Sequence, residues 1–131
     1  MRTSKVVVVC GSRRYVEMMA VTEWLIQRDE HAITIGLGLL PDWYPYPLNH
    51  LAEYEGCSSE MDKLYLEKIN LADELFVVDY ENYIGESTRN KIAYAETCNV
   101  PVRYFSKEPI GQQILQLVAK GNRCSVSKFY N

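Results

Sequence analysis

The chain has little of what marks several common protein classes. It holds four cysteines, Cys10, Cys57, Cys98 and Cys124, widely spaced and with no CxxC pair. Its only histidines are His31 and His50, so no zinc-ligand spacing exists and no metal is expected. Four reduced, partly buried thiols are the expectation; nothing in the sequence supports a reactive Cys57 beyond its neighbours Gly56 and Ser58. There is no basic excess: the formal net charge is −3 and the pI about 5.4, which argues against a nucleic-acid surface. No apolar run approaches the roughly 18–20 residues a membrane span needs. The opening KVVVVC is too short, and lacks the small-residue site, for a signal peptide. The cytoplasm is therefore the expected compartment. Neither GxGxxG nor GxxxxGK[ST] occurs, so the standard dinucleotide and P-loop signatures are missing.

What remains is an ordinary globular composition, 47% hydrophobic and 24% charged over 131 residues. That length predicts one domain, residues 1–131, with a single core. Lys5–Cys10 is a β-branched run ending at Gly11 and predicts a buried strand. Tyr15, Met18, Met19, Thr22, Leu25 and Ile26 form the stripe of a helix over 15–27. Ala32–Gly36 predicts a second strand. Leu37–Ser58 follows, irregular and rich in Pro and Tyr; loops of that length are often functional, and this one suits a lid or a subunit contact. A capping box at Ser59 and Asp62 predicts the next helix, with Met61, Leu64, Tyr65, Ile69 and Ala72 facing inward. Leu75–Val78 predicts a third strand, a helix should run from Ser87 or Thr88 to about Cys98, and Val102–Phe105 predicts a fourth strand. Ser106 can cap a last helix with Pro109 in its first turn, a buried stripe at Ile110, Ile114, Leu117 and Val118, and a stop at Gly121. The tail Asn122–Asn131 can dock on the body or on a partner.

Strands alternating with helices predict an α/β fold, a mainly parallel four- to five-stranded sheet covered on both faces. Ligands of such folds sit outside the carboxyl ends of the strands. That rule selects four segments: CGSRRY after the first strand, GLGLLPDWYPY after the second, DYENYIGES after the third and the short turn after Phe105. Gly11 permits a tight turn; Ser12 and the amides there can meet an anion, with Arg13 or Arg14 adding charge. The plainer alternative is a capped turn with solvated arginines. In DYENYIGES Asp79 should lie at the sheet rim. Gly85 permits a close approach or a positive φ, and Ser87 or Thr88 offers a cap. Plain turn and cap roles serve Asp79 and Ser87 equally well, and partial burial serves Tyr80 and Tyr83.

CGSRRY, EGCSSEMDKLYLEKINLADELFVVD and NYIGESTRNKIAYA, followed by PVRYF, together resemble the nucleoside 2-deoxyribosyltransferase-like proteins over Lys5 to Phe105. The resemblance implies a Rossmann-like three-layer sandwich that binds a nucleoside or nucleotide and cleaves its N-glycosidic bond, with no cofactor, in a homo-oligomer. A carboxylate beneath the sugar would stabilise the oxocarbenium-like charge or form a glycosyl adduct, and a second acid would assist the leaving base. Asp79 and Glu86 are the carboxylates available, and Gly11, Ser12, Arg13, Tyr83, Gly85, Ser87 and Lys91 are the candidate substrate-binding residues. The chain departs from the pattern at two places. Lys91 stands where the family carries its glutamate nucleophile, and Tyr65 where many relatives have histidine. Glu86 lies five positions before Lys91, roughly 140° away around a helix, and is a poor replacement. Lys91 is either a solvated lysine, the commoner state, or part of an anion pocket with Arg13 and the helix amides. In the second case the bound group would be a phosphate and binding would survive without cleavage. A non-catalytic nucleotide-binding module is thus the alternative function. A third is an interaction protein using Trp43–Tyr46.

Overall fold

A computed structural model describes residues 2–45 and 50–121. Val6–Gly11 forms β1, Ile33–Ile35 forms β2, Glu74–Val78 forms β3 and Val102–Tyr104 forms β4. The helices are α1 (Val16–Glu30), α2 (Leu51–Tyr54), α3 (Ser58–Asn70), α4 (Glu86–Thr97) and α5 (Pro109–Gly121). Single 3-10 turns at Arg13–Tyr15, Tyr80–Asn82 and Phe105–Lys107 follow β1, β3 and β4. The four strands are parallel in the order β2-β1-β3-β4. The α/β architecture with a parallel sheet is therefore the one the alternating pattern predicts.

Side-chain alternation splits the core in two. Val7, Val9, Phe76 and Val78 point to one face, where they meet Met18, Met19, Leu25 and Ile26 of α1 and Ile114 of α5. Val8, Cys10, Leu75 and Val77 point to the other and meet Tyr65 and Ile69 of α3 and Ile92 and Ala95 of α4. Both faces of β1 and β3 are dry, which is why these strands read as unbroken apolar runs. Each such side chain removed from water stabilises the fold by about 1.5–3 kcal/mol. All six predicted stripe positions are buried, five on α1 and Tyr15 in the turn before it.

Several boundaries and roles differ from expectation. The α3 helix starts at Ser58 behind Cys57, and no side chain caps it, so the Ser59–Asp62 box does not form. Met61 and Leu64 are exposed, because the burying face of α3 passes through Tyr65 and Ile69 instead. Leu117 is likewise exposed on α5. Ser106 caps no helix; it lies in the 3-10 turn after β4 and bonds to Asp79. The long 37–58 stretch includes the short α2. Part of the Trp43–Tyr46 segment, Cys124 and the tail Asn122–Asn131 lie outside the described residues. Among those described, no helix is long and apolar enough to cross a membrane.

Toward the amino ends of the strands, Arg103 of β4 ties the layers together. Its guanidinium donates to Glu30 at 2.9 Å, Glu74 at 3.0 Å and Glu108 at 2.8 Å, and it lies 5.1 Å from the Phe76 ring centroid. Lys5 adds ion pairs to Glu30 and Glu74. The Arg103 hydrogen bonds hold the Glu30 carboxyl below its ordinary value against the opposing effect of burial, with Lys5 assisting. A second close fit joins α5 to the turn after β4: a methyl group at Gly111 would overlap the Phe105 carbonyl oxygen.

Arg103→Met leaves three half-buried carboxylates with one lysine and should cost about 3 kcal/mol at neutral pH, read by urea denaturation. Because Glu30 is depressed in the folded state, its contribution is complete above the unfolded carboxylate value and is lost as pH falls through the folded one. Wild type should therefore lose more stability than Arg103→Met between about pH 6 and about pH 3. Gly111→Ala should destabilise by about 3 kcal/mol, since the obstructing atom is backbone.

Candidate functional site

The chain leaves β1 toward β2 on one side and later returns to β3 on the other, so the strand order reverses between β1 and β3. Connections diverge there, and in such sheets the crevice expected outside the carboxyl ends at that point is the usual ligand position. Gly11 closes β1 beside Val78 at the end of β3. Its φ of +155° and the 2.9 Å from an added Cβ to the Val78 carbonyl oxygen both demand glycine.

On the α1 side the crevice is closed by rings. Tyr15 meets Tyr80 edge-on at 5.3 Å and Tyr83 at 6.3 Å, and Tyr80 meets Phe105 at 6.4 Å. The Arg14 guanidinium covers Tyr83 at 4.9 Å. These contacts clasp the turn after β1 to the turn after β3. Ser12 accepts a hydrogen bond from the Arg14 amide and so serves as a turn cap. Gly85 precedes α4 in extended conformation, with φ −77°. A side chain there would crowd the Tyr83 hydroxyl at 3.3 Å, so close approach rather than a positive φ suits this position to glycine.

The two carboxylates have different surroundings. Asp79 is 4% exposed, and its oxygens accept from the Ser106 amide at 2.9 Å and the Ser106 hydroxyl at 2.6 Å. It fastens the turn after β4 to the end of β3. Glu86 opens α4 and is exposed, as is Ser87 beside it.

On the α3 and α4 side the crevice is lined by cations. The Lys91 ammonium lies 4.0 Å from the centroid of Tyr65, and the Lys68 ammonium lies 4.6 Å from the same ring. Tyr65 is buried and fixed, its hydroxyl donating to the Val9 carbonyl of β1. Lys68 also donates to the Gly36 carbonyl at 3.1 Å. Burial, followed by repulsion from Arg13, lowers Lys68; the Glu23 carboxylate pulls the other way. Burial also lowers Lys91, with Arg13 and Lys68 acting in the same direction and Asp62 opposing. Cys10, beneath Lys91, is pushed up to about 12 by burial. It is therefore a neutral thiol at neutral pH and supplies no counter-charge. No ion pair among the described residues involves Lys91.

Lys91 is thus half-buried in the crevice wall, and the solvated state expected of a surface lysine does not describe it. Tyr65 and Lys91, the two positions at which the sequence differs from the pattern it resembles, touch one another. Lys68, Glu23 and Gly36 were not singled out from the sequence. Lys68 follows Tyr65 by one helical turn, which was the available signal. Glu23 had none, because its place beside Gly36 and Thr34 depends on how α1 crosses β2. Three cations, Arg13, Lys68 and Lys91, gather here in a chain whose net charge is −3. Low-dielectric walls make such a cluster far more attractive to an anion than the same charges on open surface.

No protein-family model, curated protein or solved structure matches this chain.

Asp79→Ala removes both partners of Ser106 and should cost about 2–3 kcal/mol of stability, whereas Glu86→Ala should change it by less than about 0.5 kcal/mol. Chemical denaturation of the two variants measures the contrast; equal small losses would show that the Asp79–Ser106 contact does not hold the turn.

Proposed function

We propose that the protein binds a nucleotide in the crevice between β1 and β3, with the phosphate met by Arg13, Lys68 and Lys91, and that it does so without cleaving the glycosidic bond. One observation carries this reading: Lys91 is half-buried over Tyr65, beside two further cations, and forms no ion pair with a carboxylate. Holding an ammonium there without a partner costs free energy, and a bound phosphate offsets that cost. The nucleoside part comes from the resemblance to the nucleoside 2-deoxyribosyltransferase-like proteins, and Tyr83 and Gly85 stand at the same rim to receive it.

The same observation argues against cleavage. The departing base leaves positive charge on the sugar, and a cation in the nucleophile's place raises the energy of that charge. Asp79 is committed to Ser106. Glu86, exposed at the start of α4, supports the second reading, an N-glycosidic-bond hydrolase or transferase acting through it. The resemblance also carries the expectation of a cytoplasmic homo-oligomer. Exposed Trp43 in the Pro- and Tyr-rich stretch suits such a contact.

Thermal and chemical denaturation with a panel of deoxynucleosides and their monophosphates tests the reading. A monophosphate at about a hundredfold its Kd should raise stability by about 2.7 kcal/mol, and the matching nucleoside should do far less. Lys91→Glu should weaken monophosphate binding by at least about tenfold. Equal response to nucleoside and monophosphate would overturn the phosphate assignment. Release of free base that disappears in Glu86→Ala would replace the binding reading with the hydrolytic one.

A further inference from the structure

We propose that Lys91 forms an imine with an anionic aldehyde or ketone admitted to the crevice between β1 and β3. This goes beyond nucleotide binding and rests on that reading only for the seat of the anionic substituent.

The groups that face Lys91 decide its chemistry. From β1 comes the buried Cys10 thiol, neutral at neutral pH. The turn after β1 contributes Arg13. From α3 come Tyr65, Lys68 and Asp62. Two cations therefore oppose one carboxylate, and burial removes water from the ammonium. The Tyr65 ring acts in the other direction, since its π face favours the charged amine. Burial is the largest influence and loosens the hold on the proton; Arg13 and Lys68 add to it, against Asp62. A lysine that is desolvated and set beside other cations presents a larger neutral fraction, and the neutral amine is the nucleophile.

The geometry suits the product as well as the attack. The Lys91 nitrogen lone pair adds to the carbonyl carbon while the carbonyl π pair moves to oxygen, which takes a proton. The carbinolamine then loses water. Amine, carbonyl compound and one proton become a protonated imine and one water, with no oxidant or reductant required. The protonated imine carries its positive charge on the atom that sits 4.0 Å from the Tyr65 ring centroid, so the ring stabilises it as it does the ammonium. Lys68 and Arg13 remain charged beside it to pair with a phosphate or carboxylate on the substrate. Lys68 is the weaker nucleophile of the two, because it already donates to the Gly36 carbonyl and faces Glu23.

Pyridoxal 5′-phosphate, a phosphorylated aldehyde, is the probe, trapped by borohydride reduction and located by peptide mass mapping. Lys91 should be labelled at least about tenfold faster than exposed Lys63, inorganic phosphate should slow its labelling, and unphosphorylated pyridoxal should label it more slowly. Lys91→Arg should lose the label, since a guanidinium, always protonated, does not form an imine with the aldehyde. Labelling of Lys91 no faster than Lys63, or capture of the label by Lys68 in the wild-type protein, overturns the imine. If that occurs while nucleotides still stabilise the protein, the imine fails and nucleotide binding stands. Fast labelling at Lys91 that phosphate does not slow, in a protein no nucleotide stabilises, sustains the imine and removes the nucleotide reading.

Discussion

Gly11 brings the end of β1 so close to Val78 that no side chain fits between them. That contact lets β1 and β3 run as neighbours to their last residues, at the one place in the sheet where the chain changes direction. The positions of the other groups at this rim follow from it. The turns after the two strands emerge side by side and are clasped by Tyr15, Tyr80, Tyr83 and Arg14. The helix after β3 then starts beside the crevice, and its second turn carries Lys91 down onto Tyr65. Displacing Gly11 would separate two strands, two turns and two helices at once.

Charge is distributed with the same polarity as the sheet. At the amino ends, Arg103 and Lys5 are saturated by Glu30, Glu74 and Glu108. Every ion there has a partner, and the network joins β4, β3, α1 and the lead into α5. At the carboxyl ends, Lys91 and Lys68 share one aromatic ring, with Arg13 near enough to repel both. Paired charges stabilise a fold; half-buried cations set close to one another are costly and are characteristic of binding sites. The contrast between the two ends gives the molecule its direction, one end holding layers together and the other facing a ligand.

Much of the architecture could be read along the chain because strand and helix periods are local. The run Val6–Cys10 and the α1 stripe declare their burial through spacing alone, and α4 begins within two residues of expectation. Failures came where a short polar residue had two local uses. Ser59 and Asp62 match a capping box, yet the cap position of α3 falls two residues earlier, at Cys57, and no side chain bonds there. Ser106 reads as a helix cap, yet Asp79, 27 positions away, takes both of its donors. Periodicity says nothing of partners so remote.

The sequence order thus settled the strands, four of the five helices, the parallel sheet and the rim at which function should be sought, since each follows from short-range pattern and a steric rule of connection. Whether Lys91 meets water or a ring was open until α3 and α4 packed together. Ammonium and phenol lie 26 positions apart on separate helices, and the spacing of neither helix encodes the other's rotation. Folding brought the lysine and tyrosine of one crevice to 4.0 Å, and burial there, not residue type, gave the amine its altered proton affinity.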